Sequence, residues 1–164
     1  MQSFKWEWTM PIHCLEIKAS CSPNVQNLRE ENSYIWHLQL QCMQCSEKTG
    51  WITVDPSQEM ARVRSGICHV LLHCRLCGRQ CTITILEEPH VYDKNEEFQQ
   101  FASFDCRGLE PIDWNPVGTD FIVELNSGVV MRQVSFEEGE YYDYDENQKE
   151  QVFITCLEWQ WKRV

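Results

Sequence analysis

The stretch Gln151-Val152-Phe153-Ile154-Thr155-Cys156-Leu157-Glu158-Trp159-Gln160-Trp161-Lys162 carries the clearest periodicity in the chain. Its spacing predicts a strand with Phe153, Thr155, Leu157, Trp159 and Trp161 on one face and Ile154, Cys156, Glu158, Gln160 and Lys162 on the other. The aromatic stripe reads as core, since bulky rings pack inward more often than they line a ligand site. Working outward, further short strands are expected at residues 4–10, 13–19, 33–40, 51–54, 67–73, 81–86, 98–105, 121–125 and 129–136. Turn signals stand between them: Ser22-Pro23-Asn24, Asp55-Pro56-Ser57, Glu88-Pro89, Asn115-Pro116 and Asn126-Ser127-Gly128, the last reading as a hairpin. Sustained helical periodicity is missing, so the fold class is mostly β. Residues 137–150, with Tyr141, Tyr142 and Tyr144 among acids, read as a solvated loop or short helix.

A chain of 164 residues is expected to form one compact domain, 1–164, with a core of its own. Seven Trp, seven Phe and five Tyr supply apolar area, while 24% charged residues and the lack of a long apolar run argue against a membrane span or disorder. The first residues alternate Phe4, Trp6, Trp8 and Met10 with Lys5, Glu7 and Thr9, which is strand periodicity and not the apolar stretch of a secretion signal. Ten cysteines in such a chain read as metal ligands and buried thiols in a reducing, cytoplasmic setting. The net charge of −11 is unevenly spread: residues 87–150 hold 17 acids and 4 bases, leaving 8 acids and 10 bases elsewhere. An acidic surface repels phosphate backbones, so no nucleic acid is expected as a partner, a protein partner bearing basic residues is, and the chain itself is expected to be a monomer.

Chemistry concentrates in Cys42-Met43-Gln44-Cys45 and Cys74-Arg75-Leu76-Cys77, two CxxC pairs separated by 28 residues. Two residues between cysteines let a tight turn direct both sulfurs toward one point, and two such knuckles close a tetrahedral site. The metal ligands are therefore expected to be Cys42, Cys45, Cys74 and Cys77, with Gly78 supplying the permissive backbone after the second pair. Four soft, anionic sulfurs suit zinc, one ion per chain, although iron uses similar ligands. A closed tetrathiolate leaves no open position and is structural, not hydrolytic. Arg75, Arg79 and Lys48 are placed to offset its charge. Redox CxxC chemistry is the competing reading, but neither pair sits in the strand-to-helix context that chemistry uses. Cys14, Cys21, Cys68 and Cys81 read as buried thiols, and His69 and His73 as ordinary strand residues. No serine-hydrolase, metalloprotease, P-loop or dinucleotide motif is present, so no catalytic residue is expected. An internal echo pairs residues 37–42 with 101–106 and 71–74 with 153–156, which would make Cys106 and Cys156 remnants of a second site.

These residues resemble the eukaryotic CXXC-motif-containing zinc-binding protein family, which has no assigned activity. The resemblance rests on Leu15-Glu16-Ile17-Lys18-Ala19, Asn27-Leu28, the Trp36 strand leading into the first pair, and both CxxC pairs. Phe104-Asp105-Cys106-Arg107-Gly108-Leu109-Glu110-Pro111, Asp113 and Asp143-Tyr144-Asp145-Glu146 complete it and are the more distinctive part. It implies an antiparallel fold of two similar halves, roughly 1–90 and 91–164, about a pseudo-twofold axis, with zinc in the first half. The Trp-rich N-terminus and a Gly-poor segment at 62–66 depart from the family. In Arg107 to Pro111 a structural turn is expected, with Pro111 ending the strand pairing and Arg107 paired to Glu110. The alternative is a recognition surface at the place corresponding to the zinc knuckle of the other half. The function expected from all this is a zinc-bearing protein-interaction or adaptor module; copper or zinc handling, or thiol redox chemistry, is the alternative.

Overall fold

The computed structural model describes residues 12–32, 34–58, 61–63, 66–86, 90–118 and 120–164. The strand expected at 4–10, the Glu88-Pro89 turn and part of the 62–66 segment lie outside them. The strands are β1 (Ile12–Cys21), β2 (Val25–Glu30), β3 (Trp36–Cys42), β4 (Lys48–Val54), β5 (Ala61–Val63), β6 (Gly66–Cys68), β7 (Val70–His73) and β8 (Gln80–Ile85). After them come β9 (Val91–Tyr92), β10 (Gln99–Arg107), β11 (Leu109–Trp114), β12 (Phe121–Leu125), β13 (Val130–Val134), β14 (Tyr141–Asp145) and β15 (Glu150–Arg163). A single 3-10 turn, Glu137–Gly139, is the one helical piece among the described residues. None of the described residues form a helix long and apolar enough to cross a membrane.

The strands assemble antiparallel into a six-stranded sheet, β14-β15-β1-β10-β8-β7, a three-stranded sheet, β11-β3-β4, a four-stranded sheet, β13-β12-β2-β9, and the small β5-β6 pair. One hydrophobic cluster draws on all three larger sheets, with Leu15, Ile17 and Phe104 from the first, Trp36, Leu38 and Trp114 from the second, and Leu28, Phe121 and Val123 from the third. Trp36 sits among rings, 4.6 Å from Tyr34, 5.3 Å from Phe104 and 5.9 Å from Trp114. The first two pairs meet edge-on, an arrangement that contributes about 0.5–1.5 kcal/mol each beyond the buried area, and the third is tilted. Along β3 the period of two is strict: Trp36, Leu38, Leu40 and Cys42 are buried and the residues between them partly open. The core stripe therefore runs straight into the first cysteine of the knuckle.

β15 departs from its expected alternation. Val152 and Ile154 are buried, then Leu157, with Trp159 and Trp161 half-buried, so the inward face changes parity midway. The cause is a β-bulge at Cys156, whose φ of 55° places it in the left-handed region. Ser20 pairs Thr155 but Lys18 pairs Glu158, so β15 fits one extra residue against β1. Trp159 and Trp161 do reach the core margin, where the Trp159 indole N–H donates to Asp113 Oδ1 at 3.1 Å.

Four further expectations change. Pro111 does not end strand pairing: it lies inside β11 opposite Leu40, and the ladder shifts just after it, where the missing N–H is accommodated by an irregularity. Arg107 pairs with Asp105 at 3.3 Å and not with Glu110. The segment at 137–150 is not a loop or helix throughout, because β14 and a tight turn occupy most of it. Strands β2, β9 and β11 also had no clear alternation to announce them. The echo fails as well: β3 is the middle of the three-stranded sheet while β10 lies inside the six-stranded one, Cys106 is fully buried there, and Cys156 is exposed on its bulge. They are not a second cysteine site. The sheet order displays other equivalences, with β1 and β10 at the centre, β15 and β8 flanking them, and β14 and β7 at the edges.

Candidate metal centre

Two hairpin turns bring the four cysteines together. In the first, after β3, the Cys42 N–H donates to the Glu47 carbonyl at 2.8 Å and the Ser46 N–H to the Cys42 carbonyl at 3.0 Å. In the second, after β7, the Cys74 N–H donates to the Arg79 carbonyl at 2.8 Å and the Gly78 N–H to the Cys74 carbonyl at 2.9 Å. The residue following each knuckle is left-handed, Ser46 with φ 64° and Gly78 with φ 73°. Gly78 fits its role without strain. Ser46 holds the same conformation with a side chain, at a cost of about 1 kcal/mol or more.

The Sγ atoms of Cys42 and Cys77 lie 3.7 Å apart and those of Cys45 and Cys74 3.4 Å apart, and all four fall within 4.8 Å of one another. Zinc–sulfur bonds of about 2.3 Å in a tetrahedron require sulfurs about 3.8 Å apart, so the four fit that ion as they stand. They are too far apart to be disulfides, whose sulfurs sit about 2.05 Å apart. Cys42 and Cys74 are buried, and Cys77 is the most exposed. The leading cysteine of each pair collects its own knuckle amides: the N–H groups of Cys45 and Gln44 hold Cys42 below the usual thiol range, and those of Cys77 and Leu76 bring Cys74 down to about 6. Cys45 also receives an amide, from Glu47, yet desolvation and three neighbouring sulfurs push it up to about 12. Such a set suits a cation that binds all four as thiolates, with the residual negative charge facing Lys48 and Arg75.

A third element braces the first knuckle. Gly108, between β10 and β11, accepts the Met43 N–H at 3.1 Å through its carbonyl. Its φ is +84°, and an added Cβ would meet Cys81 Sγ at 3.0 Å and the Gln80 carbonyl at 3.1 Å. The stretch from Arg107 to Pro111 thus supports the cysteine knuckle itself and is not a counterpart of it in another half. The sequence showed Gly108 in a distinctive motif, but only the fold shows which turn it touches. Cys81, behind it, is buried and donates to the Arg79 carbonyl at 3.5 Å, outside the four-sulfur cluster. Cys14 and Cys68 are likewise buried, while Cys21 is half-buried and pushed up to about 11 by desolvation. His69 Nδ1 accepts the Ile85 N–H at 3.0 Å, and His73 lies beside a cleft. That cleft, about 170 Å³, runs between β4 and β7 with Lys48, Ile52, Leu72 and Arg75 in its walls, so two of the three expected basic residues stand next to the sulfurs.

The family model for eukaryotic CXXC-motif-containing zinc-binding proteins matches residues 14–162. The chain belongs to that family. It is 32% identical over 162 residues to UPF0587 protein F46B6.12 of Caenorhabditis elegans, covering 94% of this chain and 96% of the relative. To the human CXXC motif containing zinc binding protein it is 32% identical over 147 residues, 85% of this chain and 91% of that one. The crystal structure of C1orf123 superposes with a TM-score of 0.87 at 29% identity, covering 93% of this chain and 99% of the other. A hypothetical protein from Plasmodium falciparum superposes with a TM-score of 0.83 at 26% identity over 93% of this chain. Zinc is thus in the family's name, and the four-cysteine cluster gives it a place in this member.

Proposed function

We propose that Cys42, Cys45, Cys74 and Cys77 hold one structural zinc ion, and that the surface they fix is a protein-interaction module. Four thiolates leave no open coordination position, which argues for a fold-stabilising ion and against an enzyme that uses it as a catalyst. The observation that carries the interaction reading is the contrast between the buried leading cysteines, Cys42 and Cys74, and the apolar tips. Leu76 and Met43, between the cysteines of their knuckles, are 68% and 46% exposed, and Trp51 and Leu71 on the cleft-bordering strands β4 and β7 are 49% and 39% exposed. Large apolar side chains left exposed on both knuckles and on the strands that flank them are what a partner surface needs. The ten thiols fit a reducing compartment such as the cytoplasm.

The test is proximity cross-linking in cells with the wild type and with Leu76→Asp/Met43→Asp, after zinc content and melting temperature have been matched. The module reading expects partners shared by repeated wild-type captures to vanish with the variant; an unchanged partner set overturns it. The exposure of Cys77 favours metal or thiol exchange as a second reading. Competition with a Cu(I) chelator separates the two: exchange predicts Cu(I) taken up and returned by a folded chain, and a structural centre predicts neither.

A further inference from the structure

The outermost strand of the six-stranded sheet, β14, pairs with β15 and has no neighbour on its other side among the described residues. Its Tyr144 N–H donates to Asp143 Oδ1 at 2.7 Å, which shows that this amide faces away from β15. Alternation along a strand puts the N–H and C=O of Tyr142 on the same free edge. The side chains of Tyr142 and Tyr144 are 64% and 47% exposed. Around them residues 137–150 hold seven acids, Glu137, Glu138, Glu140, Asp143, Asp145, Glu146 and Glu150, against one base, Lys149, a balance of −6.

Charge alone would be an ordinary guard against self-pairing of an edge strand. Two exposed tyrosines in a strand of five residues add the apolar area that such a guard omits. The acids repel nucleic acids and anionic membranes and attract lysine and arginine. We propose that the free edge of β14 accepts an extended, basic segment of a partner protein as a seventh strand of the sheet. Asp143 is the latch. Its carboxylate now covers the Tyr144 N–H and accepts the Tyr141 hydroxyl at 2.7 Å. A lysine or arginine of the incoming segment pairs with Asp143, and a carbonyl of that segment takes the Tyr144 N–H in its place, as in strand-addition recognition. Tyr142 and Tyr144 then pack against the alternate apolar side chains. This surface is separate from the knuckle tips, so either assignment can fail alone.

The experiment titrates isotope-labelled, zinc-loaded full chain with a nine-residue peptide of alternating lysine and valine, following amide shifts and hydrogen exchange. The expected result is shifts centred on β14, at least tenfold slower exchange at Tyr142 and Tyr144, and affinity that falls at least tenfold with Glu140→Lys/Asp143→Lys but not with Leu76→Asp. The same peptide N-methylated on alternate residues should bind at least tenfold more weakly, which tests strand addition without altering the protein. Shifts scattered over the acidic surface with equal binding of the methylated peptide, or no shift at β14, would overturn the proposal.

Discussion

Two pairs of hairpin turns stand at the two edges of the six-stranded sheet, built alike and fastened differently. One pair follows β3 and β7; the other follows β12 and β14. In the β3 turn Cys42 exchanges hydrogen bonds with Glu47 and Ser46; in the β12 turn the Leu125 N–H donates to the Val129 carbonyl and Leu125 in turn accepts the Gly128 N–H, both at 2.9 Å. The Met43 N–H is anchored to Gly108 at the end of β10, and the Asn126 N–H to Asn24 just after β1, at 2.9 Å. The partner turns also correspond, Cys74 closing on Arg79 and Asp145 pairing with Glu150. Across the first pair stand four sulfurs. Across the second stands one hydrogen bond, from the Ser127 hydroxyl to Asp145 Oδ2 at 3.0 Å. Asp145 is 3% exposed, and its other oxygen accepts the Asn147 N–H at 3.0 Å. Adjoining hairpin turns are thus tied in two ways in this chain, by four sulfurs in one pair and by a buried carboxylate in the other.

If that contrast holds, removing zinc is the largest perturbation available. Chelation should destabilise the chain by several kcal/mol, since binding energy at a structural zinc is largely folding energy, and amide exchange should rise first in the two cysteine turns. Exchange rising first at the Ser127–Asp145 turns would break the comparison. Gly108→Ala forces a Cβ toward Cys81 in a left-handed conformation and should cost about 2–3 kcal/mol by denaturant unfolding. Asp145→Ala removes a buried carboxylate that accepts from the Ser127 hydroxyl and from the turn amides of Asn147 and Gln148, and should cost about 2 kcal/mol while zinc content stays unchanged.

Smaller effects sharpen the same contrast. On β2, in the sheet that bears the Asn126–Gly128 turn, burial pushes Glu30 up to about 8 from an ordinary 4.5, and its Oε2 has no partner. Between those values the folded state holds a proton that the unfolded state has lost, so stability falls as pH rises, by at most about 1.4 kcal/mol per pH unit. Glu30→Gln should flatten that slope in melts from pH 5 to 8. Last, Ser46→Gly relieves a left-handed residue and should stabilise the first knuckle by about 0.5–1 kcal/mol, while Gly78→Ser should cost a similar amount in the second.

The cysteine spacing made the four-cysteine cluster legible from the sequence, and β3 shows why: its strict alternation carries Trp36, Leu38 and Leu40 into Cys42, so strand and cysteine announce each other. Mostly β character was equally legible. What stayed hidden depends on distant pairing. β11 contains Pro111, a strand breaker by local rules, yet it pairs with β3 once the ladder shifts around it. β14 is acidic and aromatic, and only its partnership with β15 makes it a strand. The parity switch at Cys156 is set by β1 fitting one residue fewer, which no local pattern in β15 records. Ser46 gave no signal, and Gly108 was legible as a turn residue of a distinctive motif but not as the brace of the first knuckle, because those turns meet only in the fold.

The most direct measurement is metal content by mass spectrometry on full chain purified without added metal, paired with denaturant unfolding, for the wild type and Cys42→Ser/Cys74→Ser. The account predicts one tightly held zinc per chain in the wild type, none in the variant, and a loss of several kcal/mol with it. Substoichiometric zinc in the wild type, or a variant that loses the ion and unfolds at the same denaturant concentration, would contradict it.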